Sequence, residues 1–591
     1  MKKRWKLWET DEGLLLSLSK ALKISPLLAR ILVHRGMTEP QVARRFLSSS
    51  LRSDLPSPAL MAGMEQAVNR LVLSLQGKDL IGIWGDYDVD GTTGAAILVS
   101  FLREMGTDPL YYIPHRIDEG YGLNIEGLRQ FNTRGVRLVI TVDCGISNAQ
   151  EVRFARELGI DVVIVDHHEP PQETPPAVAI LNPHRHDCPF PDKGLSGAGL
   201  AFYLVIGLRA KLREIGWFTR STTPDIRRYL DIVTLGTIAD MVPLKGINRT
   251  LTRRGLTELS SSTRPGILAL KQVAGIPPGE VTAGQVGFRL GPRINAAGRM
   301  DAGLKVVEML TTESNEVALR VAQELDEHNQ ERRAREAQML EEALFALGAE
   351  NDGRGRYSIV LAREGWHPGV LGIVASRLVE RYHRPTVVIG FHNGEGKGSA
   401  RSIPGFHLVE GFHRCSDLLE KFGGHEYAGG LTIKREKLAS FAKRFEEITR
   451  EFLTPEDLVP VLKVDALLDF SEIGRPLARD IRLLQPFGIG NPEPIFMTGA
   501  VEIAGRKVFS TGSRFRLCQR GRCLNAVAFG PEYGIAESNP KESNPSKSET
   551  LNSKLALGTK VDVVYRLSEN EWNGTTSVEL RIMELRPSTG P

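Results

Sequence analysis

The apolar positions of this chain fall in short runs that stop at acidic residues. Leu80-Ile81-Gly82-Ile83-Trp84 leads into an acidic loop, Arg137 to Val142 ends at Asp143, and Asp161 to Val165 ends at Asp166. Near-continuous apolar runs with helical segments between them, such as Thr92 to Met105, predict strands buried on both faces of a parallel sheet with helices over those faces. In open sheets of this kind ligands bind beyond the carboxyl ends of the strands. The acidic ends are therefore where chemistry is expected.

The pattern changes along the chain. Residues 1–65 read as helical, with breaks at Pro56 and Pro58, and 66–313 hold the sheet with a helical extension. Residues 314–348 form a charged connecting helix free of Pro and Gly until Gly348. A smaller α/β domain follows at 349–455, with Tyr357 to Ala362 as a strand, Val370 to Tyr382 as a helix and Thr386 to Gly390 as a strand. Residues 456–591 carry short β runs near Val501, Phe515, Val527, Val561 and Val578, the spacing of a small β-barrel. Their segment 536–554, rich in Ser, Asn, Lys and Glu, reads as a disordered insertion.

Composition narrows the class. A chain of 591 residues is too long for one core. Lys+Arg 75 against Asp+Glu 71 leaves a net charge of +4, so any surface for an anionic polymer must be local. Five scattered cysteines argue against a disulfide framework and fit a reducing compartment. The basic N-terminus has no apolar stretch before Glu9, and no run of about 18 apolar residues occurs, so a cytoplasmic protein with no membrane partner is expected.

The strongest chemical signal is Gly85-Asp86-Tyr87-Asp88-Val89-Asp90-Gly91. On an extended backbone the three carboxylates would point one way and converge. Crowded carboxylates repel and take up protons unless cations lie among them, and hard oxygen donors suit Mg²⁺ or Mn²⁺. Asp143, Asp166-His167-His168 and Asp240 in Gly236-Thr-Ile-Ala-Asp-Met-Val-Pro-Leu244 add to the set. Singly, these are a solvated loop, helix caps or a calcium turn. Together they deliver enough carboxylates and an imidazole to hold two divalent ions, the usual arrangement for splitting phosphodiesters.

Asp86-Tyr-Asp-Val-Asp-Gly, Val142-Asp-Cys-Gly, Asp166-His-His and Ala239-Asp-Met-Val-Pro resemble, in order and spacing, the four motifs of the DHH phosphoesterase superfamily. The resemblance implies that Asp88, Asp90, Asp143, His167 and Asp240 are metal ligands, with Asp143 as the bridge and Asp86 either a ligand or just behind one. It implies that His168 touches the scissile phosphate and that Asp166 orients the imidazole beside it. Trp84 stands where some members carry a histidine, which puts the coordination of the first ion in question.

Gly365-Trp-His-Pro-Gly to Arg377, Gly398-Ser-Ala-Arg-Ser402 and Gly423-Gly-His-Glu-Tyr-Ala-Gly-Gly430 mix glycine turns, whose N–H groups can cradle phosphate, with forked arginines. They resemble the DHHA1 domain, which implies substrate capture by Arg377, Ser399, Arg401 and His425. Gly291-Pro-Arg-Ile-Asn-Ala-Ala-Gly-Arg-Met-Asp301 resembles a stretch of the RecJ exonucleases, implying DNA contacts by Arg293, Asn295 and Arg299. Leu484 to Phe496 resembles the lead into the RecJ OB domain, and Arg514, Phe515 and Arg516 interleave charge and ring as a single-strand groove requires. The whole resemblance implies a monomeric 5′-to-3′ exonuclease of DNA repair and recombination, specific for single-stranded DNA and releasing mononucleotides with a Mn²⁺ or Mg²⁺ pair. Single-strand-binding protein and a helicase are its implied partners. The alternatives are a DHH phosphodiesterase for short oligoribonucleotides or cyclic dinucleotides, and a catalytically inactive binding scaffold.

Overall fold

A computed structural model of the chain describes residues 3–116, 118–218, 222–298, 303–348, 355–530, 533, 555–572 and 575–588. The insertion expected at 536–554 lies outside the described residues. Two compact units divide the chain: residues 7–323 with 463–591, and residues 324–462 with 1–6.

Three helices open the larger unit: α1 (Glu12–Leu22), α2 (Pro26–His34) and α3 (Pro40–Ser48). A sheet follows, of β1 (Leu80–Gly85), β2 (Leu110–Tyr112), β3 (Val136–Val142), β4 (Asp161–Val165) and β5 (Ala179–Leu181), in the order β2-β1-β3-β4-β5. Every pairing is parallel, so all five carboxyl ends share one edge. β3 is buried at every position except Arg137, as a strand covered on both faces must be. The same unit holds the helices α4 (Val89–Glu104), α5 (Gly197–Glu214), α6 (Leu230–Ala239), α7 (Gly246–Ser261) and α8 (Gly291–Ala297), of which α4 and α5 pack on the sheet. The apolar runs at 80–84, 137–142 and 161–165 are strands to within one residue, whereas α4 starts three residues before the expected Thr92.

The long helix α9 (Asn315–Leu347) begins in the larger unit and ends in the smaller. There β6 (Ile359–Glu364), α10 (Pro368–Tyr382), β7 (Thr386–His392), β8 (Glu395–Arg401), β9 (Lys421–Gly424) and β10 (Ala428–Lys434) form a sheet ordered β9-β10-β8-β7-β6, with α10 and the end of α9 sharing one core.

The final segment returns to the larger unit as β11 (Ala466–Leu467), α11 (Arg475–Leu484), β12 (Phe496–Phe509), β13 (Gly512–Gln519), β14 (Arg522–Phe529), β15 (Lys560–Trp572) and β16 (Thr575–Pro587). β15 pairs back onto β12 and closes a five-stranded barrel. The barrel interior is continuous with the N-terminal helices: Leu15, Leu28, Leu32 and Phe46 belong to one cluster with Phe470, Phe496, Val563 and Tyr565. A buried ion pair reinforces the join, Arg35 Nη1 donating to Asp465 Oδ1 at 3.1 Å.

Cys518 and Cys523 flank a hairpin turn and form a disulfide, contrary to the expectation drawn from the scattered cysteines. The register places them directly opposite each other, with Cα atoms 4.1 Å apart, and side chains at such a pair project together. Cys144, Cys188 and Cys415 are buried thiols. Among the described residues no helix is long and apolar enough to cross a membrane.

The shared core has a testable consequence. Phe496→Ala should cost about 3–5 kcal/mol. Because α2 rests on the same cluster, amide exchange over Leu28 to Leu32 should accelerate together with that of the barrel strands. Unchanged protection of α2 in the variant would show that the two cores are separate.

Candidate metal centre

Three acids of the site sit one residue past a strand, and the N–H of each still pairs with the neighbouring strand. Asp86 N donates to Val142 O at 3.1 Å, Asp143 N to Val165 O at 2.9 Å, and Asp166 N to Leu181 O at 3.1 Å. The sheet ladder thus fixes three acids along one edge. Asp143 holds a left-handed φ of 62°, a conformation that costs energy and is typical of functional sites.

The loop after β1 does not stay extended, as the alternating carboxylates had suggested. Asp88 is the N-cap of α4, its Oδ1 accepting from Asp90 N at 2.9 Å and Gly91 N at 3.0 Å. Asp90 lies in the first helical turn and is fully buried. The acids converge because the chain folds back: a Cβ on Gly91 would fall 2.4 Å from Asp86 N and 2.5 Å from Asp86 O, so only glycine permits the turn. Asp90 is held by the N-terminus of α5, accepting from Gly197 N and, at 3.0 Å, from Ala198 N. Asp240 caps the C-terminal end of α6.

Three sets of ligand atoms lie within 4.8 Å of one another: Asp86, Asp88 and Asp143; Asp90, His167 and Asp240; Asp143, His167 and His168. His167 Nε2 lies 3.0 Å from Asp143 Oδ1, 3.7 Å from Asp240 Oδ2 and 3.9 Å from Asp90 Oδ2. The buried oxygens Asp86 Oδ1 and Asp240 Oδ2 have no hydrogen-bond partner among the described residues. Oxygen-rich donor sets with one imidazole and orphaned buried carboxylate atoms fit hard divalent cations.

The electrostatics agree. Burial, then the Asp88 charge, pushes Asp86 up to about 8 and Asp90 up to about 7. Burial and the charges of Asp90 and Asp88 push Asp240 up to about 9, and Asp143 also rises well above its ordinary value. Without cations these groups would hold protons.

The two histidines diverge. Burial and the neighbouring His168 push His167 down to about 4. Burial opposes the cation at His168 too, but the hydrogen bond to Asp166 outweighs it and the pKa rises. His168 Nδ1 lies 2.8 Å from Asp166 Oδ1, and Asp166 Oδ2 accepts from Ile146 N at 2.9 Å. Burial would raise Asp166, yet these hydrogen bonds hold it below its ordinary value.

Several contributors escaped sequence reasoning. Tyr121 Oη donates to Asp143 O at 2.8 Å and lies 3.0 Å from His168 Nδ1. Arg116 stacks over the Tyr87 ring at 4.9 Å and lowers Asp86. Asn182 Nδ2 donates to His168 O at 2.8 Å. The Asn182-Pro183 turn and the Ser196 N-cap are visible in the sequence, but β2 is only three residues long and gives no pattern to place Arg116 or Tyr121. Trp84 takes no part in the cluster. It is buried in the core on the other face of the sheet, stacked on Tyr112 with its Nε1 donating to Gly122 O at 3.2 Å.

The expected binding residues are more dispersed. Arg293 is half-buried and donates to Arg289 O at 2.6 Å and Val273 O at 3.4 Å. Asn295 lies on the same helix α8, whose end reaches the acidic loop: a Cβ on Gly298 would fall 2.2 Å from Tyr87 O. Arg299 lies outside the described residues. In the smaller unit Arg401 donates to Ser399 Oγ at 3.4 Å, and a Cβ on Gly372 of α10 would meet both side chains. His425 is exposed in the β9–β10 turn. Arg377 instead pairs with Glu336 and Glu380, both at 3.2 Å.

On the barrel Arg514 and Arg516 are exposed, but Phe515 between them is 3% exposed in the interior and offers no ring face to a base. Period-two alternation on β13 sends it inward. An aromatic does lie exposed elsewhere. Phe288, 87% exposed, lines a groove of about 1090 Å³ in the larger unit together with Phe487, Arg253, Arg482 and Arg581.

Comparison with known proteins agrees with this architecture. Residues 80–237 match the DHH family N-terminal domain, 355–451 the DHHA1 domain and 464–584 the RecJ OB domain. The chain is 37% identical to the single-stranded-DNA-specific exonuclease RecJ of Bacillus subtilis, over 99% of this chain and 71% of that protein. It is 38% identical to RecJ of Haemophilus influenzae, over 95% of this chain and 96% of that protein. The crystal structure of RecJ from Thermus thermophilus in complex with Mn²⁺ superposes with a TM-score of 0.80 at 31% identity, covering 99% of this chain and 80% of that one. Its Mg²⁺ complex superposes at 0.75 and 29% identity, over 99% of this chain and 79% of that one. With three domain matches in order and relatives aligned over nearly its whole length, the chain belongs to the RecJ family.

Proposed function

We propose that this chain hydrolyses single-stranded DNA from a free end, in the 5′-to-3′ direction, to mononucleotides, with two divalent ions, Mn²⁺ or Mg²⁺, in DNA repair and recombination. The observation that carries the reading is the buried, uncompensated carboxylate set at one sheet edge, in a chain whose relatives are single-stranded-DNA-specific exonucleases. A phosphodiesterase for cyclic dinucleotides has no use for the closed barrel and its arginine-lined groove. An inactive scaffold has no use for carboxylates that cost energy to bury. Single-strand-binding protein and a helicase as partners, a monomeric state and a cytoplasmic place belong to the same proposal and rest on family likeness.

In this reading Asp86, Asp88 and Asp143 would hold one ion and Asp90, His167 and Asp240 the other, and Asp143 would serve as the bridging ligand. Such ions, when bound, neutralise charge building on the phosphodiester and supply a nucleophile at neutral pH. The lowered pKa of His167 keeps it neutral, as a ligand must be. Asp166 engages Nδ1 of His168, leaving Nε2 for a phosphate oxygen, and the raised pKa favours the proton-bearing ring. Ser399, Arg401 and His425 capture phosphate. Arg514 and Arg516 attract the strand, and Phe288 offers it a stacking face.

Asp143→Ala should lower turnover at least ~10³-fold, about 4 kcal/mol of barrier. Near-normal turnover by a folded variant would exclude the bridging role.

The raised carboxyl pKa values also set a pH dependence. In the unfolded chain these groups titrate near 3.8, whereas in the metal-free fold they stay protonated to about 8, 7 and 9 at Asp86, Asp90 and Asp240. Between those limits the folded state binds more protons than the unfolded, so metal-free stability falls as pH rises through that window. Binding of cations expels the protons, so stabilisation by metal grows over the same window. The melting temperature in chelator should therefore fall between about pH 6 and about pH 9, and Mn²⁺ should raise it more at the higher pH. Equal Mn²⁺ shifts at both would mean that the carboxylates are already ionised without metal.

Finally, a circular single strand should survive where its linear form is consumed. Rapid cutting of the circle would show endonuclease action.

A further inference from the structure

Among the proposed ligands Asp240 differs from Asp88 and Asp90 in how it is held. Asp88 and Asp90 each accept two backbone N–H bonds. The Asp240 carboxylate accepts none from the described residues; only its backbone is tied, N to Gly236 O at 2.9 Å. Its place depends on the chain on either side. Behind it Ala239 is pressed by α8, where a Cβ on Gly291 would fall 3.1 Å from Ala239 Cβ. Ahead of it Met241 takes a left-handed φ of 63°, and Val242 to Lys245 cross to α7.

That crossing is braced by the segment leading into the barrel. Leu244 N donates to Ile489 O at 2.8 Å. A Cβ on Gly488 would fall 2.6 Å from Leu244 Cδ1, and one on Gly490, at φ +73°, would fall 3.2 Å from Pro243 Cβ and 3.3 Å from Lys245 Cε. The bracing segment is itself rigid. Gly488 and Asn491 exchange backbone hydrogen bonds of 3.0 and 3.1 Å, and Asn491 Nδ2 donates to Leu484 O and Pro486 O, both at 2.8 Å.

From the other side it is clamped by Arg249 of α7, 1% exposed and without a carboxylate partner among the described residues. Its guanidinium donates to Leu484 O at 2.9 Å, Gln485 O at 2.8 Å and Leu483 O at 3.1 Å, and to Phe46 O at 2.9 Å, with the Phe46 ring 3.5 Å away. A buried cation held by backbone carbonyls makes a fixed join, because moving it would strip the charge of its hydrogen-bond acceptors.

We infer that the segment Phe487–Asn491, at the head of the barrel domain, is a positioning element of the metal centre: it sets where Asp240 lies. The barrel domain then contributes to metal affinity as well as to strand capture. The inference rests on the reading that Asp240 holds a divalent cation. It concerns Gly488 and Gly490 of that segment, which touch the Asp240 loop at Leu244, Pro243 and Lys245.

The test is Gly490→Ala in the full chain. The substitution puts a side chain at a left-handed φ and against Pro243. Mn²⁺ binding to strand-free protein is read by isothermal titration and by the electron paramagnetic resonance signal of free Mn²⁺. Melting in chelator shows that the variant is folded. The expected result is an affinity lower by about 10-fold or more, the usual effect of disturbing a ligand's support. Cleavage of a short oligonucleotide should recover as Mn²⁺ is raised, with an unchanged KM for the oligonucleotide at saturating metal. Wild-type Mn²⁺ affinity in the folded variant overturns the inference, as does a raised KM with normal metal binding, which would make the segment part of the strand site. If Gly490→Ala does not fold, Gly488→Ala, whose added methyl meets only the end of Leu244, is judged by the same two outcomes. The metal readout needs no cleavage, so a wild-type protein that binds Mn²⁺ but leaves DNA intact would sink the exonuclease reading and not this one.

Discussion

Five carboxylates converge on one sheet edge, and the other features of the site answer that crowding. Bringing Asp86, Asp90, Asp143 and Asp240 out of water raises all four toward protonation, and the cost of an unpaired buried charge is several kcal/mol. The fold meets part of it with the partial positive charge of helix N-termini: α5 aims two N–H groups at Asp90, and α4 aims two at Asp88. The rest is left for cations. Convergence also demands that backbones touch, which is why glycine stands at 91, 197 and 298, where a Cβ would strike Asp86, Asp143 and Tyr87 respectively. The ligand geometry is therefore written into residues that carry no charge.

The adjacent histidines show how position beyond a strand decides chemistry. Successive side chains leave a strand on opposite sides. His167 turns into the carboxylates and is lowered by burial and by its neighbour, while His168 turns toward Asp166 and is raised by it. One dipeptide thus places a neutral ring among the carboxylates and a proton-bearing ring beside Asp166. Asp166 can serve His168 because Ile146 N and His168 N bind it as well, which keeps it ionised despite full burial.

Much of this was legible in the sequence, for a physical reason: parallel strands are apolar on both faces, so their runs are unambiguous, and the acids that follow them must share an edge. Legibility failed where the determinant is a distant partner or a local geometry with no period. The loop after β1 looked extended because its acids alternate, but Asp88 caps a helix instead. Phe515 looked like a stacking ring until the pleat of β13 turned it inward, while Phe288, on a short π-helical turn, carried no pattern at all. Tyr121 and Arg116 follow a strand too short to see. The contact of α1–α3 with the barrel joins positions more than 400 residues apart in the chain, such as Arg35 and Asp465, and no local pattern announces it.

Arginine explains why a net charge of +4 is compatible with the polyanionic substrate proposed above. This chain uses arginine in two ways. Arg249, Arg253, Arg289 and Arg293 donate to backbone carbonyls and serve as internal braces, a use in which the planar fork satisfies several acceptors at once. Arg514, Arg516 and Arg581 are exposed on the barrel. Arginines used as braces are held by the protein's own carbonyls, so neither a count of basic residues nor their net balance measures the binding surface. The braces contribute indirectly. By joining α7 to the head of the barrel, Arg249 ties the barrel to the helix that follows the Asp240 loop.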